Sequence, residues 1–466
     1  MNIGIIDIGT HAVRVAIYSG DKLGSEEIYA YNFRSDIEDL LFRDNMDTDH
    51  AVYSVFNYFE QVFKNFNVEF VHCIATEILR NNPNAQKFVD IIYAKYKIKI
   101  RILTGEEEAK IGAYGLISGT EDAKGILADF GGGSLEITEL KSHEIGILKS
   151  FPLGMQKLRE NPEISVQQIK EIILAEFPDI KSAQLYFIGG SLRRIANLYL
   201  QYIKYPLQSL HQFKIKTESM LWYMEKLIDM SERNYPIAGP AKKGGTLFYT
   251  IMIARALIDV FAPEHIVIST YGLKEGVRFC NLSEAEKKKN LITERLKSSS
   301  DNIDFQGYVD LFQPFLLESQ QKLPQIIEFS LLIANNITLK KCSGHNISDY
   351  IINLDVPFSH QQRIMIAIIF SALYQSKIDA NLFAASKQIL SKNDYNNARI
   401  IGQLMKLCHE IDGSFFGNLS FSIALQDNFW KLVIGRSIPK SIFSVACNHL
   451  KTVMNIKNFA NYDSQS

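Results

Sequence analysis

Nothing in this chain supplies a net electrostatic field: 50 Lys and Arg stand against 51 Asp and Glu over 466 residues, a formal charge of −1. A chain so balanced has no global attraction for nucleic acid or an anionic membrane surface, so any polyanion site has to be local. Cysteine is scarce, and Cys73, Cys280, Cys342, Cys408 and Cys447 are odd in number, scattered and never spaced Cys-x-x-Cys. That speaks against a disulfide framework or a thiolate zinc site and suits a reducing cytoplasm. Long apolar runs are missing too, since no segment gives about 18 unbroken apolar residues. The chain opens on an apolar strand, Ile3 to Asp7, with no basic leader, so neither secretion nor membrane insertion is expected. What remains is a chain longer than one core usually organises, for which two to four domains are expected.

Glycine is concentrated where it matters. Leu127-Ala128-Asp129-Phe130-Gly131-Gly132-Gly133-Ser134-Leu135-Glu136-Ile137 reads as strand, glycine turn, strand. Bare amides in such a turn form an anion nest, and a carboxylate at the end of the incoming strand can hold a cation or a water against that anion. A hairpin alone would explain three glycines. However, Ile3-Gly4-Ile5-Ile6-Asp7-Ile8-Gly9-Thr10 followed by Val13-Arg14-Val15-Ala16-Ile17-Tyr18 repeats the pattern at the start of the chain. Two such hairpins facing across a cleft would grip a phosphate chain from both sides.

These motifs, together with Thr104-Gly105-Glu106-Glu107-Glu108-Ala109, Ala75-Thr76 with Arg80, Pro152-Leu153-Gly154, Gly189-Gly190-Ser191 and Tyr271-Gly272-Leu273-Lys274-Glu275-Gly276, resemble the exopolyphosphatase and guanosine pentaphosphate phosphohydrolase family. The resemblance runs from residue 1 to about residue 277. It implies an α/β fold of duplicated actin-like, ribonuclease H-like domains around a central cleft. It also implies Glu107 as catalytic base, with Asp129 and Glu136 as further catalytic carboxylates. Gly9, Thr10, Arg80, Gly131, Gly132, Gly133, Ser134, Gly189, Gly190 and Ser191 would bind phosphate. Asp129 and Asp7 would hold Mg²⁺ or another divalent cation. The first turn departs from the family's Asp-x-Gly-Ser-Asn-Ser: Thr10-His11-Ala12 loses one hydroxyl, and His11 reads as a tolerated loop residue.

Along the chain, domain I is expected at 1–119 and domain II at 120–282, each alternating strands and helices. A Glu-rich first turn complements the positive end of a helix, which accounts for Glu106 and Glu108 without catalysis. Ser283 and Glu286 suggest a capping box in a linker region, 283–303. Beyond it, 304–466 reads as a mainly α-helical C-terminal domain ending in a hairpin near 419–434. It resembles the metal-dependent phosphohydrolase domain of long family members, but His345 stands without the His-Asp pair, so no metal is assigned there.

The leading expectation is release of terminal orthophosphate from inorganic polyphosphate, with guanosine pentaphosphate as the alternative substrate. An actin-like ATP-binding protein or kinase is the reading from a different class. Neither nucleic acid nor membrane is expected as a partner, and a homodimer stays open. Lys340, Lys341 and Arg363 are candidate contacts for a long polyanion.

Overall fold

Side chains alternate across a strand, so each hairpin strand serves two different cores. The first sheet contains β1 (Asn2–Ile8), β2 (Ala12–Tyr18), β3 (Glu27–Arg34), β4 (Val68–Ala75) and β5 (Ile100–Ile102), in the order β3-β2-β1-β4-β5. Ile6 and Ile8 of β1 pack with Val13 and Val15 against Phe56, Phe59, Phe88 and Ile92 of the helices Ala51–Asn65 and Ala85–Tyr96. Ile5 belongs to a different cluster on the opposite face, with Ala16, Tyr18 and Ile74. Asp7 shares that second face by the period of two.

The second sheet repeats the plan with β6 (Gly125–Phe130), β7 (Leu135–Lys141), β8 (Glu144–Phe151), β9 (Gln184–Ile188), β10 (Phe213–Lys216) and β11 (His265–Ile268), in the order β10-β11-β9-β6-β7-β8. An antiparallel meander is followed in both sheets by parallel strands: β4 lies beside β1 as β9 lies beside β6. The edge strand β10, antiparallel to β11, is an addition to the repeat. Ile126, Ala128 and Phe130 face the outer core, and Leu127 faces inward. Asp129 therefore falls on the inner face.

Two helices fill the inner faces, and each covers the sheet of the other half. The helix Gly105–Gly119 places Ala113 and Leu116 against Leu127, Leu140, Tyr186 and Val267 of the second sheet. The helix Leu273–Cys280 places Val277 against Ile5, Ala16, Tyr18 and Ile74 of the first. The two helices touch through glycine. A methyl group at Gly115 would overlap the Gly272 carbonyl, and one at Gly276 would overlap the Ile111 carbonyl.

The structure, a computed structural model, describes residues 1–10, 12–34, 37–42, 50–142, 144–232, 245–297, 303–336, 347–374, 378–413, 415, 419–426, 429–434 and 444–445. It divides into two compact units, Met1–Leu291 and Ile292–Ser466. The expected capping box at Ser283 is half formed. Ser283 accepts from the Glu286 amide at 3.2 Å, but the Glu286 carboxylate accepts from the Leu23 amide at 3.0 Å instead of returning to Ser283.

The second unit is built around the helix His360–Tyr374, whose stretch from Ile364 to Phe370 is wholly buried. It packs on the long helix Lys392–Asp412, where Gly402 meets the Ile369 carbonyl. An antiparallel hairpin, β12 (Phe421–Gln426) and β13 (Phe429–Ile434), follows. Arg363 is not available to a polyanion: it is buried and donates to the carbonyls of Ile352, Leu354 and Val356 at 2.7–2.9 Å. Its donors are thus spent on three backbone carbonyls, two of which, Leu354 O and Val356 O, also accept from the Val356 and Phe358 amides at 2.8 Å. Lys340, Lys341, His345 and His11 lie outside the described residues. Among the described residues no helix is long and apolar enough to cross a membrane.

Candidate functional site

Both Asp-x-Gly turns close in the same way. The Gly9 amide donates to Ala12 O and the Gly131 amide to Ser134 O, each at 3.0 Å. The resulting registers set Asp7 opposite Arg14 and Asp129 opposite Glu136. All four side chains thus fall on the inner faces, and Arg14 Nη1 donates to Asp7 Oδ2 at 2.8 Å.

The turns approach each other closely. A methyl group at Gly132 would lie 2.8 Å from Thr10 Cβ and Oγ1, and one at Gly133 would overlap the Glu77 carboxylate. The first amides of the helix Met155–Glu160 hold the second turn from behind: Met155 N donates to Gly131 O at 3.1 Å and Gln156 N to Gly132 O at 2.8 Å. With those carbonyls engaged, the amides of Gly132 and Gly133 are what the turn offers an anion.

Gly189 caps the helix Gly190–Tyr202 with φ +78°, a conformation that side chains disfavour, and a Cβ there would overlap Asp129 Oδ1. Nothing lies within 4 Å of a Cβ at Gly190, so this helix end opens onto space, and Ser191 follows in its first turn. Arg193 of the same helix donates to Gly189 O at 3.0 Å and to Thr270 O at 3.2 Å. Burial pushes the Asp129 carboxyl up, while Arg193 and Arg14 pull it back.

The Glu-rich helix start divides its carboxylates between two surroundings. Glu107 closes a capping box: its amide donates to Thr104 Oγ1 at 3.1 Å and its carboxylate accepts from the Thr104 amide at 2.9 Å. It also pairs with Arg101 outside the cleft. The Thr104 amide and Arg101 hold its carboxyl below the ordinary value. The residue expected to act as base is therefore set apart from Asp7, Asp129 and Glu136.

Its neighbour Glu108 is the one brought to them. Glu108 is largely buried, its Oε2 accepts from Arg80 Nη1 and Nη2 at 3.3 Å, and Arg80 Nη1 also donates to Leu103 O at 2.6 Å. Burial and then the nearby Glu136 push the Glu108 carboxyl well above its ordinary range, opposed by Arg80. Glu136 accepts from Ser150 Oγ at 2.8 Å and is pushed up to about 7 by burial and Asp129, opposed by Ser134, Ser150 and Arg80. Two carboxylates kept from ionising together can share one proton between them. Glu107→Ala is expected to lower unfolding stability by about 1 kcal/mol, through the lost capping bond and the lost charge at the helix start. Denaturant unfolding checks this, and turnover should stay near wild type.

A cleft of about 870 Å³ opens beside this group, lined among others by Arg80, Gly133, Ser134, Lys149, Ser150 and Lys157. Of the expected residues, Arg80, Gly133 and Ser134 line this cleft, while Thr10 approaches Gly132, Gly189 packs on Asp129, and Asp129 and Arg80 both act on Glu136. Sequence reasoning missed Glu108, Arg14 and Arg193. Arg14 carried a readable signal, because a charge inside an apolar strand, counted across the hairpin, falls opposite Asp7.

For a cation, the telling atom is Asp7 Oδ1, which is buried without a hydrogen-bond partner while Oδ2 takes Arg14. Among the described residues no group of three or more His, Cys, Asp or Glu could hold a metal by itself. This donor set fits Mg²⁺ held by one or two carboxylates and completed by water and phosphate oxygens.

Two sheets of one shared strand plan, paired Asp-x-Gly turns and exchanged inner helices define a duplicated actin-like fold. The solved PPX-GPPA enzyme of Aquifex aeolicus has this fold, at 20% identity and a TM-score of 0.51, covering 59% of this chain and 98% of its own. An exopolyphosphatase of Cytophaga hutchinsonii matches at 19% identity and a TM-score of 0.51, covering 59% of this chain and 96% of its own. The chain belongs to the Ppx/GppA phosphatase family, whose model matches residues 25–285. Among curated proteins, Retrograde regulation protein 2 of Saccharomyces cerevisiae is 28% identical over 249 residues, 44% of this chain and 42% of that protein. The chain spans less than half the length of the curated relatives it matches.

Proposed function

We propose that this protein hydrolyses the terminal phosphoanhydride bond of inorganic polyphosphate with the aid of a divalent cation. The observation that carries the reading is the Glu108–Glu136 pair, set beside Asp7 and Asp129 where the two glycine turns meet. Water attacks the terminal phosphorus, the bridging P–O bond breaks, and the shortened chain leaves with the bonding electrons. Of the two glutamates, the ionised one takes the proton from the water as its oxygen bonds to phosphorus. Amides of Gly132 and Gly133, the Ser134 hydroxyl, Thr10 and the open helix end at Gly190 hold the phosphate oxygens. Arg80 fixes the carboxylate of Glu108. Mg²⁺ held by Asp7 and Asp129 would neutralise charge on the anhydride oxygens.

Phosphate release measured side by side from long polyphosphate, guanosine pentaphosphate and ATP tests the reading. Fastest release from polyphosphate is expected, and hydrolysis confined to either nucleotide would overturn it. Asp7→Asn should raise the Mg²⁺ concentration for half-maximal rate by about tenfold or more, because a neutral amide oxygen is a poorer ligand for a hard cation. An unchanged Mg²⁺ titration would move the cation elsewhere.

A further inference from the structure

Glu107 and Glu108 are consecutive on one helical turn and so project about 100° apart. Glu108 joins the carboxylates of the catalytic cleft, whereas Glu107 lines a separate cavity of about 400 Å³. That volume lies within the usual span of small-molecule sites, about 300–1,000 Å³. Ile111, Tyr114 and Phe279 supply an apolar wall, with the two aromatic ring centroids 5.8 Å apart. Arg101, Lys110 and Lys287 supply the cations.

Charge around the cavity is not balanced. Arg101 pairs with Glu107, and Lys287 pairs with Glu284 at 2.8 Å. Lys110 makes no ion pair among the described residues, which leaves the lining one positive charge in excess. The three cations also converge. All three act on the Cys280 thiol in the same cavity, partly offsetting the upward push that burial gives it.

We propose that this cavity binds a small phosphorylated aromatic anion of the nucleoside monophosphate class, with its phosphate among Arg101, Lys110 and Lys287 and its ring against Tyr114 and Phe279. A phosphate there gives Lys110 a partner and shares Arg101 and Lys287 with their present carboxylates. The ring adds apolar contact that inorganic phosphate lacks. The site is separate from the cleft, and its test reads no phosphatase activity, so it stands or falls apart from the hydrolytic reading.

Cys280 reports occupancy directly. The full-length protein is alkylated with iodoacetamide at mildly alkaline pH, and labelling of the Cys280 peptide is followed by mass spectrometry with AMP, GMP, adenosine or inorganic phosphate present. AMP or GMP should slow Cys280 labelling at concentrations where adenosine and phosphate do not. Lys110→Glu, an exposed substitution, should raise the nucleotide concentration for half protection by about tenfold or more. Lys157→Glu, in the catalytic cleft, should leave protection unchanged. Protection by phosphate equal to that by AMP would overturn the aromatic part of the assignment. Labelling indifferent to nucleotides, or protection that survives Lys110→Glu and is lost in Lys157→Glu, would overturn the site.

Discussion

Glu108→Gln is expected to keep no more than about one hundredth of wild-type turnover, the lower range for loss of a general base, and yet to be the more stable protein at pH 8. Glutamine preserves the shape and can still accept from Arg80, so substrate binding should survive. It cannot take a proton from water. The gain in stability follows from the direction of the pKa shifts. Folding raises Glu136 from an ordinary 4.5 to about 7 and lifts Glu108 as well. Between about 4.5 and 7, the unfolded chain has released protons that the folded chain still holds, so the stability contributed by the pair declines as pH rises through that window. Removing one member relieves the buried repulsion above it. Turnover and thermal unfolding at pH 5 and pH 8 measure both effects. Full turnover would return the proton-accepting role to another group, and a lower unfolding temperature at pH 8 would mean that the buried charge is well compensated.

Gly276→Ala should destabilise the first unit by about 3 kcal/mol or more, at the upper end of overpacking costs. Helix propensity argues the other way, since alanine in place of glycine inside a helix gains about 1 kcal/mol. Sterics decide the sign. The new methyl group would overlap Ile111 O and approach Ile111 C, and these are backbone atoms of a neighbouring helix that cannot rotate aside. Gly115→Ala meets the same obstacle at Gly272 O, one turn along the crossing. The two substitutions strain one contact, so their combined cost should fall short of the sum. Thermal unfolding of both single variants and the double variant is the measurement, and an unchanged or raised midpoint in Gly276→Ala would refute the crossing.

The parts of this protein legible in its sequence were those fixed by neighbours in the chain. Asp7 and Asp129 could be placed because a strand, an Asp-x-Gly turn and a second strand determine one another within about ten residues. Gly189 could be placed because a strand ending before a helix start is likewise local. Glu108 could not be chosen over Glu107, because the choice depends on which side of the helix the second sheet lies, and that sheet comes later in the chain. Arg193 required the distance between two elements far apart in sequence. The third strand of the first sheet, Glu27–Arg34, carries Ile28, Tyr29, Ala30 and Tyr31 in succession and fully buries none of its residues, so there was no alternating buried face for periodicity to find.

The exchange of inner helices also sets a schedule for the nascent chain. When Gly119 has been made, the first sheet has all five of its strands, but Ile5, Ala16, Tyr18 and Ile74 still lack the helix Leu273–Cys280. Synthesis at about 5–20 residues per second delays that helix by on the order of 10–30 s. Throughout this interval the first half exposes part of an apolar face, and at its start the helix Gly105–Gly119 also still lacks Leu127, Leu140 and Tyr186 of the second sheet. A holding chaperone would find its target there, and the interval closes only when the last turn of that late helix leaves the ribosome.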